Sequence, residues 1–196
     1  GKEDIVRKTK NSNEEEAVMN ETLEAIAKRF SCRDFTDRTP SDEDLQAIAQ
    51  AALAAPSAMN RQPWQIIIVT NKALIEEMGA EGIQVLAARE DKTLYDRIMG
   101  RGGKLFYNAP CLVIIAIDET NPSGYEKIDI GIVAQTIVLA AASLGLASVH
   151  CGLAALPFLS ERGQELKETL RFPEGYGMGF GVLLGFTMRL KLMFAG

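Results

Sequence analysis

Histidine is almost missing from this chain of 196 residues, where His150 stands alone. With one imidazole and three scattered thiols, Cys32, Cys111 and Cys151, neither a zinc cluster nor a Cys/His nucleophile pair is well supplied, and no metal is expected. An odd and widely spaced set of cysteines also argues against a disulfide framework and fits a reducing compartment. There is no basic excess either: 21 Lys and Arg face 26 Asp and Glu, a net charge of −5. A global electrostatic footprint for nucleic acid is therefore absent. No apolar run reaches the roughly 18 residues of a membrane span, and the polar start lacks the apolar stretch of a signal peptide. Composition thus predicts a cytoplasmic protein whose partners include neither nucleic acid nor membrane.

What is present suits one ordinary globular unit, with 47% apolar and 24% charged residues. Residues 1–16 are almost entirely polar and are expected to form a poorly ordered extension, because they offer too little apolar surface to offset the entropy of ordering. Residues 17–196 show no repeat or linker and read as a single domain. Within it, helical spacing covers Ala17–Ala27, and Ser41 caps a second helix opened by Asp42, Glu43 and Asp44. The β-branched run Gln65–Thr70 predicts a buried strand, followed by a helix from Lys72 to about Ala88. Further strands are expected over Cys111–Ile117, Ala147–Cys151 and Met178–Thr187, with a surface helix over Ser160–Leu170.

Between them, Ile128–Leu144 carries no charge except Asp129. A helix apolar on all sides must be covered all round, so it is expected to be buried partly in its own core and partly against a second copy of the protein. Alternating helices and short apolar strands indicate an α+β (α/β layered) domain; the residues alone leave parallel and antiparallel pairing open.

Three familiar motifs fail. Lys104 after Gly102 and Gly103 suggests a phosphate loop, yet Ile98 stands where the first glycine belongs and Leu105 where a Ser or Thr would hold magnesium. Gly175, Gly177, Gly179 and Gly181 never reach dinucleotide-fingerprint spacing and lead into a strand, so they predict a turn and a tight strand crossing. His150 and Cys151, as strand neighbours, would point to opposite faces.

Two segments are harder to explain by folding alone. Arg29-Phe30-Ser31-Cys32-Arg33 places two guanidinium groups and a hydroxyl within one turn-sized stretch after a helix, where they can converge on one anion or form a solvated basic patch. Ala54 to Trp64 then brings Pro56, Ser57, Ala58, Asn60 and Gln62 before the lone tryptophan. Asn60 and Gln62 each donate and accept, which suits the edge of a flat heteroaromatic ring as well as an ordinary turn.

Taken together, Arg-x-Ser-x-Arg followed by Pro-Ser-x-x-Asn-x-Gln-Pro-Trp resembles the nitroreductase family of FMN-dependent oxidoreductases. The likeness continues through Asn108-Ala109-Pro110, Asp129, the apolar helix and Gly145 to Gly152. It implies a nitroreductase-like fold, a central mixed sheet flanked by helices, and a homodimer built on the long apolar helix. It also implies two FMN molecules bound at the interface. Arg29, Ser31 and Arg33 match positions that hold the phosphate, ribityl chain and pyrimidine edge. Pro56, Ser57, Ala58, Asn60 and Gln62 match the loop supplied by the other subunit, and Cys151 and Gly152 a strand end lying against the ring system. The resemblance implies a closing basic residue on the phosphate, matched by Arg189 or Lys191, and leads one to expect a longer basic and proline-bearing tail after it.

The implied activity is transfer of a hydride from NAD(P)H through flavin N5 to a small electron acceptor, a nitroaromatic, quinone or similar, by a ping-pong cycle. No catalytic side chain is assigned, since the flavin carries the chemistry. The alternatives are a non-catalytic flavin-binding or storage protein and a cofactor-free interaction domain.

Overall fold

A computed structural model describes residues 20–188 of the chain. The polar extension at 1–16, Arg189 and Lys191 lie outside the described residues. The helix α1, Glu21–Lys28, opens on Asn20, whose side chain accepts the Leu23 N–H. In α2, Asp42–Leu53, Ser41 accepts from Asp44 N at 3.1 Å, the cap the sequence predicts. β1 spans Trp64–Val69 and α3 Lys72–Ala87, capped by Asn71. Then come α4 (Thr93–Met99), β2 (Cys111–Asp118), α5 (Glu126–Ser143), β3 (Ala147–His150), α6 (Gly163–Thr169) and β4 (Tyr176–Gly185).

The strands form one sheet in the order β1-β2-β4-β3, and every ladder in it is antiparallel. Among the described residues, the parallel component of the expected mixed sheet is confined to a single bridge, Ser31 to Ser148, on the free edge of β3. β2 is buried along almost its whole length because both faces of the sheet are covered. Leu112 and Ile114 enter a core shared with Met78 and Leu86 of α3 and Leu166 of α6, whereas Val113 and Ile115 pack with Ile48 of α2 and Ile137 of α5. An uninterrupted apolar run is the usual mark of a strand covered on both faces, and it carries no information on strand direction.

Two elements depart from the sequence reading. The helix α4 falls within a stretch whose glycines and basic residues hide it, and only Ile98 anchors it fully in the core. After β3 the chain enters a 3-10 run, Gly152–Leu159, which contains Pro157 and buries Ala154 and Leu156. The glycines of β4 behave as expected: Gly175 turns the chain at φ +78°, and a Cβ on Gly181 would lie 2.4 Å from the Ala154 Cβ.

Candidate functional site

The segment after α1 is held along the edge of β3. Arg29 caps α1, its N–H reaching the Ala25 carbonyl at 3.0 Å, and its backbone then turns extended. Ser31 bridges Ser148, and the Cys32 N–H donates to the Ser148 carbonyl at 2.9 Å. Parallel pairing carries Arg33 toward the His150–Cys151 end of the strand. Arg29, Phe30, Gly145 and Ser148 line a cavity of about 310 Å³ between this segment and the last turn of α5. Among the described residues no carboxylate pairs with either guanidinium, and Arg33 reaches only the Ser31 carbonyl, at 3.5 Å.

At the strand end, Cys151 is buried and its N–H donates to the Gly181 carbonyl at 2.8 Å, while Gly152 is exposed. Burial pushes the Cys151 thiol up to about 11, a rise opposed by backbone N–H groups of Ala154 and Leu153 and by the nearby Arg101 charge. Arg101 itself is steadied by Tyr107, donating to its hydroxyl at 2.8 Å with the guanidinium 4.3 Å from the ring centroid. His150 is half-buried beside Phe180, their ring centroids 6.0 Å apart. Its burial lowers the imidazole pKa and the Arg29 charge lowers it further, against a raising contact with the Ala134 backbone. His150 is therefore neutral at pH 7 and adds no second charge to the Arg29 cluster.

The loop predicted as the second half of the site is strained. Met59, Asn60 and Gln62 all have left-handed backbones, with φ of 54°, 51° and 47°. Such conformations cost about 1–2 kcal/mol each for residues with a side chain, Asn least. Inside the loop, Ser57 Oγ accepts the Gln62 N–H at 2.8 Å. From outside, Ala58 N–H donates to Asp129 Oδ1 at 3.0 Å, and Arg61 Nη2 donates to the Asn121 carbonyl at 2.6 Å. Hydrogen bonds from Thr120 hold Asp118 below the ordinary carboxylate range, and the Arg61 charge adds to that shift. Pro56, Met59, Asn60 and Gln62 are exposed.

Within one chain Arg29 and the Pro56–Gln62 loop stand apart. The loop sits on Asp129 in the first turn of α5, and Arg29 borders Ser143 at its far end. At 1.5 Å per residue these anchors stand ~20 Å apart. The structure thus places Arg29, Ser31, Arg33, Cys151 and Gly152 along the β3 edge of the sheet, with His150 beside Ala134, and Pro56, Ser57, Ala58, Asn60 and Gln62 at the first turn of α5. Sequence reasoning gave no role to Asp129 or Arg61. The available signal was the lone carboxylate in an apolar helix, since a charge placed there must be buried and satisfied by something.

Comparison with known proteins defines the class first. A nitroreductase from Desulfitobacterium hafniense solved with bound FMN is 55% identical, superposes with a TM-score of 0.83, and the match covers 87% of this chain and 90% of that one. A nitroreductase from Bacteroides fragilis, also with bound FMN, is 28% identical at a TM-score of 0.79 over 87% and 90% of the two chains. A protein of Archaeoglobus fulgidus assigned as an NADH dehydrogenase/NAD(P)H nitroreductase is 32% identical over 171 residues, 86% of each chain. These relatives are oxidoreductases. The nitroreductase family model matches residues 26–186, and the chain belongs to that family.

Proposed function

We propose that two copies of this chain bind two molecules of FMN and reduce a small acceptor, a nitroaromatic, quinone or similar compound, at the expense of NAD(P)H. The observation that carries this reading is the position of Arg29 and the Pro56–Gln62 loop at opposite ends of α5. If α5 packs antiparallel against its mate, the loop of one copy comes to the arginine segment of the other, and each pair of ends makes one complete cradle. The outer stripe of α5 suits such a contact. Ile128 is 59% exposed, and Thr136, Leu139, Ala140 and Ser143 line a groove of about 380 Å³ shared with α1 and Ala51 of α2. Leu23 and Ile26 of α1 and Leu53 of α2 are exposed as well.

The residues present fit the cofactor. Two guanidinium groups without carboxylate partners among the described residues suit a phosphate dianion, which a chain of net charge −5 holds only through locally clustered cations. Arg29 and Ser31 would take the phosphate and ribityl chain and Arg33 the pyrimidine edge. The exposed amides of Asn60 and Gln62, from the other copy, would read the polar ring edge, and the open backbone at Cys151–Gly152 would lie against the ring system. Arg189 and Lys191 remain candidates for closing the phosphate site. When bound, FMN would supply the redox chemistry of a ping-pong cycle between NAD(P)H and the acceptor. The chain binds and orients it and contributes no acid or base. Arg101 and Tyr107, near Cys151, suit one wall of the acceptor site. Three free, buried cysteines support a cytoplasmic setting.

The test is anaerobic addition of NADH or NADPH to the protein purified with its flavin. Bleaching of the visible flavin band, restored by an acceptor, supports the enzyme. A yellow protein that does not bleach is a flavin store, and a protein that stays colourless after FMN is added back overturns the reading.

A further inference from the structure

The loop that would lie on the flavin is held from outside at two points. Asp129 is 2% exposed, and its Oδ1 accepts the Ala58 N–H at 3.0 Å. Its other oxygen, Oδ2, is buried with no hydrogen-bond partner among the described residues. Leaving such an acceptor unused costs about 1–3 kcal/mol, and an apolar residue at this helix position would avoid that cost. The contribution of the carboxylate therefore lies in the bond it makes, which ties the loop to the first turn of α5. Arg61, half-buried, makes the second tie through the Asn121 carbonyl at 2.6 Å.

Between and beside these ties stand the three left-handed residues Met59, Asn60 and Gln62. A segment of seven residues with that much backbone strain relaxes unless neighbouring structure over-determines it. Its only internal side-chain tie is Ser57 to the Gln62 N–H. The two external bonds reach the β2–α5 connection at Asn121 and the first turn of α5 at Asp129, and so tie the loop to both.

We propose that Asp129 and Arg61 are positioning residues, which hold the Pro56–Gln62 backbone in its strained form and so preset it for the flavin bound at the other copy. The inference rests on the FMN reading above. Neither residue touches the cofactor; both act through the loop. Preorganisation of this kind strengthens binding because the ordering cost is met on folding rather than on ligand capture.

The test uses the full chain as purified, with Asp129→Ala, Asp129→Asn and Arg61→Ala. Hydrogen exchange is followed on the peptide spanning the loop, and FMN dissociation by recovery of flavin fluorescence. Asp129→Ala is expected to speed exchange at the Ala58 amide and to weaken FMN binding about tenfold, the loss of one charge-assisted hydrogen bond. Asp129→Asn keeps an acceptor oxygen for Ala58 and is expected to restore most of both. Arg61→Ala should raise loop exchange and weaken FMN binding about threefold, the lower end for a single bond. Unchanged exchange and FMN affinity in Asp129→Ala, with only a lower melting temperature, would overturn the proposal, as would failure of Asp129→Asn to rescue. Should Asp129→Ala not fold, Arg61→Ala decides by the same two readouts. A wild-type chain that takes up no FMN overturns the functional reading instead, and leaves loop exchange in the variants to decide the anchoring.

Discussion

Arg29 and Arg33 are separated along the chain by three residues, the middle one of which, Ser31, bridges to β3, and each guanidinium is left without a carboxylate among the described residues. A charge-assisted bond from such a group contributes about 1.5–3 kcal/mol. Arg29→Ala and Arg33→Ala are accordingly expected each to weaken FMN binding about ten- to a hundredfold while leaving the melting temperature of the flavin-free protein unchanged. Fluorescence titration with FMN and thermal unfolding in parallel check this; full retention of flavin in both variants removes the assignment. This pair stands out in the sequence because two guanidinium groups flank a serine within five residues, a pattern that an anion site and a solvated basic patch both explain. Asp129 was visible as an oddity, yet its role was not, because the Ala58 amide that it binds lies 71 residues away.

Among the elements, β4 packs closely against the 3-10 run that carries Gly152 of the proposed cradle. A Cβ at Gly181 would come within 2.4 Å of the Ala154 Cβ and 3.1 Å of the Cys151 carbonyl, so a side chain there would push the whole 3-10 run off the sheet. Gly181→Ala is expected to lose about 1–3 kcal/mol by overpacking, or about 2–12 °C in melting temperature for a domain of this size. It should also weaken FMN binding, since Cys151 and Gly152 ride on that contact; calorimetry and flavin titration separate the two effects. Strands and long helices were legible to within a few residues, because alternation, capping by Ser41 and the apolar run of α5 beyond Asp129 are local signals. Strand direction was not, since it depends on which chain segment arrives beside β2 rather than on β2 itself. The short α4, with one fully buried side chain, left almost no periodic trace.

At the scale of the whole molecule, a core packs on either side of the sheet within one chain. On the proposed two-copy reading, folding would be a property of the single chain and ligand capture of a pair. Leu139→Asp, on the outer stripe of α5, is expected to leave the circular dichroism of the fold intact, shift sedimentation to one copy and abolish flavin retention. A monomeric variant that keeps its flavin would refute the shared cradle.

A cradle shared in this way has a genetic signature. A subunit lacking Arg29 and another lacking Asn60, each colourless alone, would on mixing form hybrids with both lesions gathered in one cradle and the other wholly wild type. Random reassortment would return about a quarter of the original yellow, as symmetry requires when every site borrows from both copies.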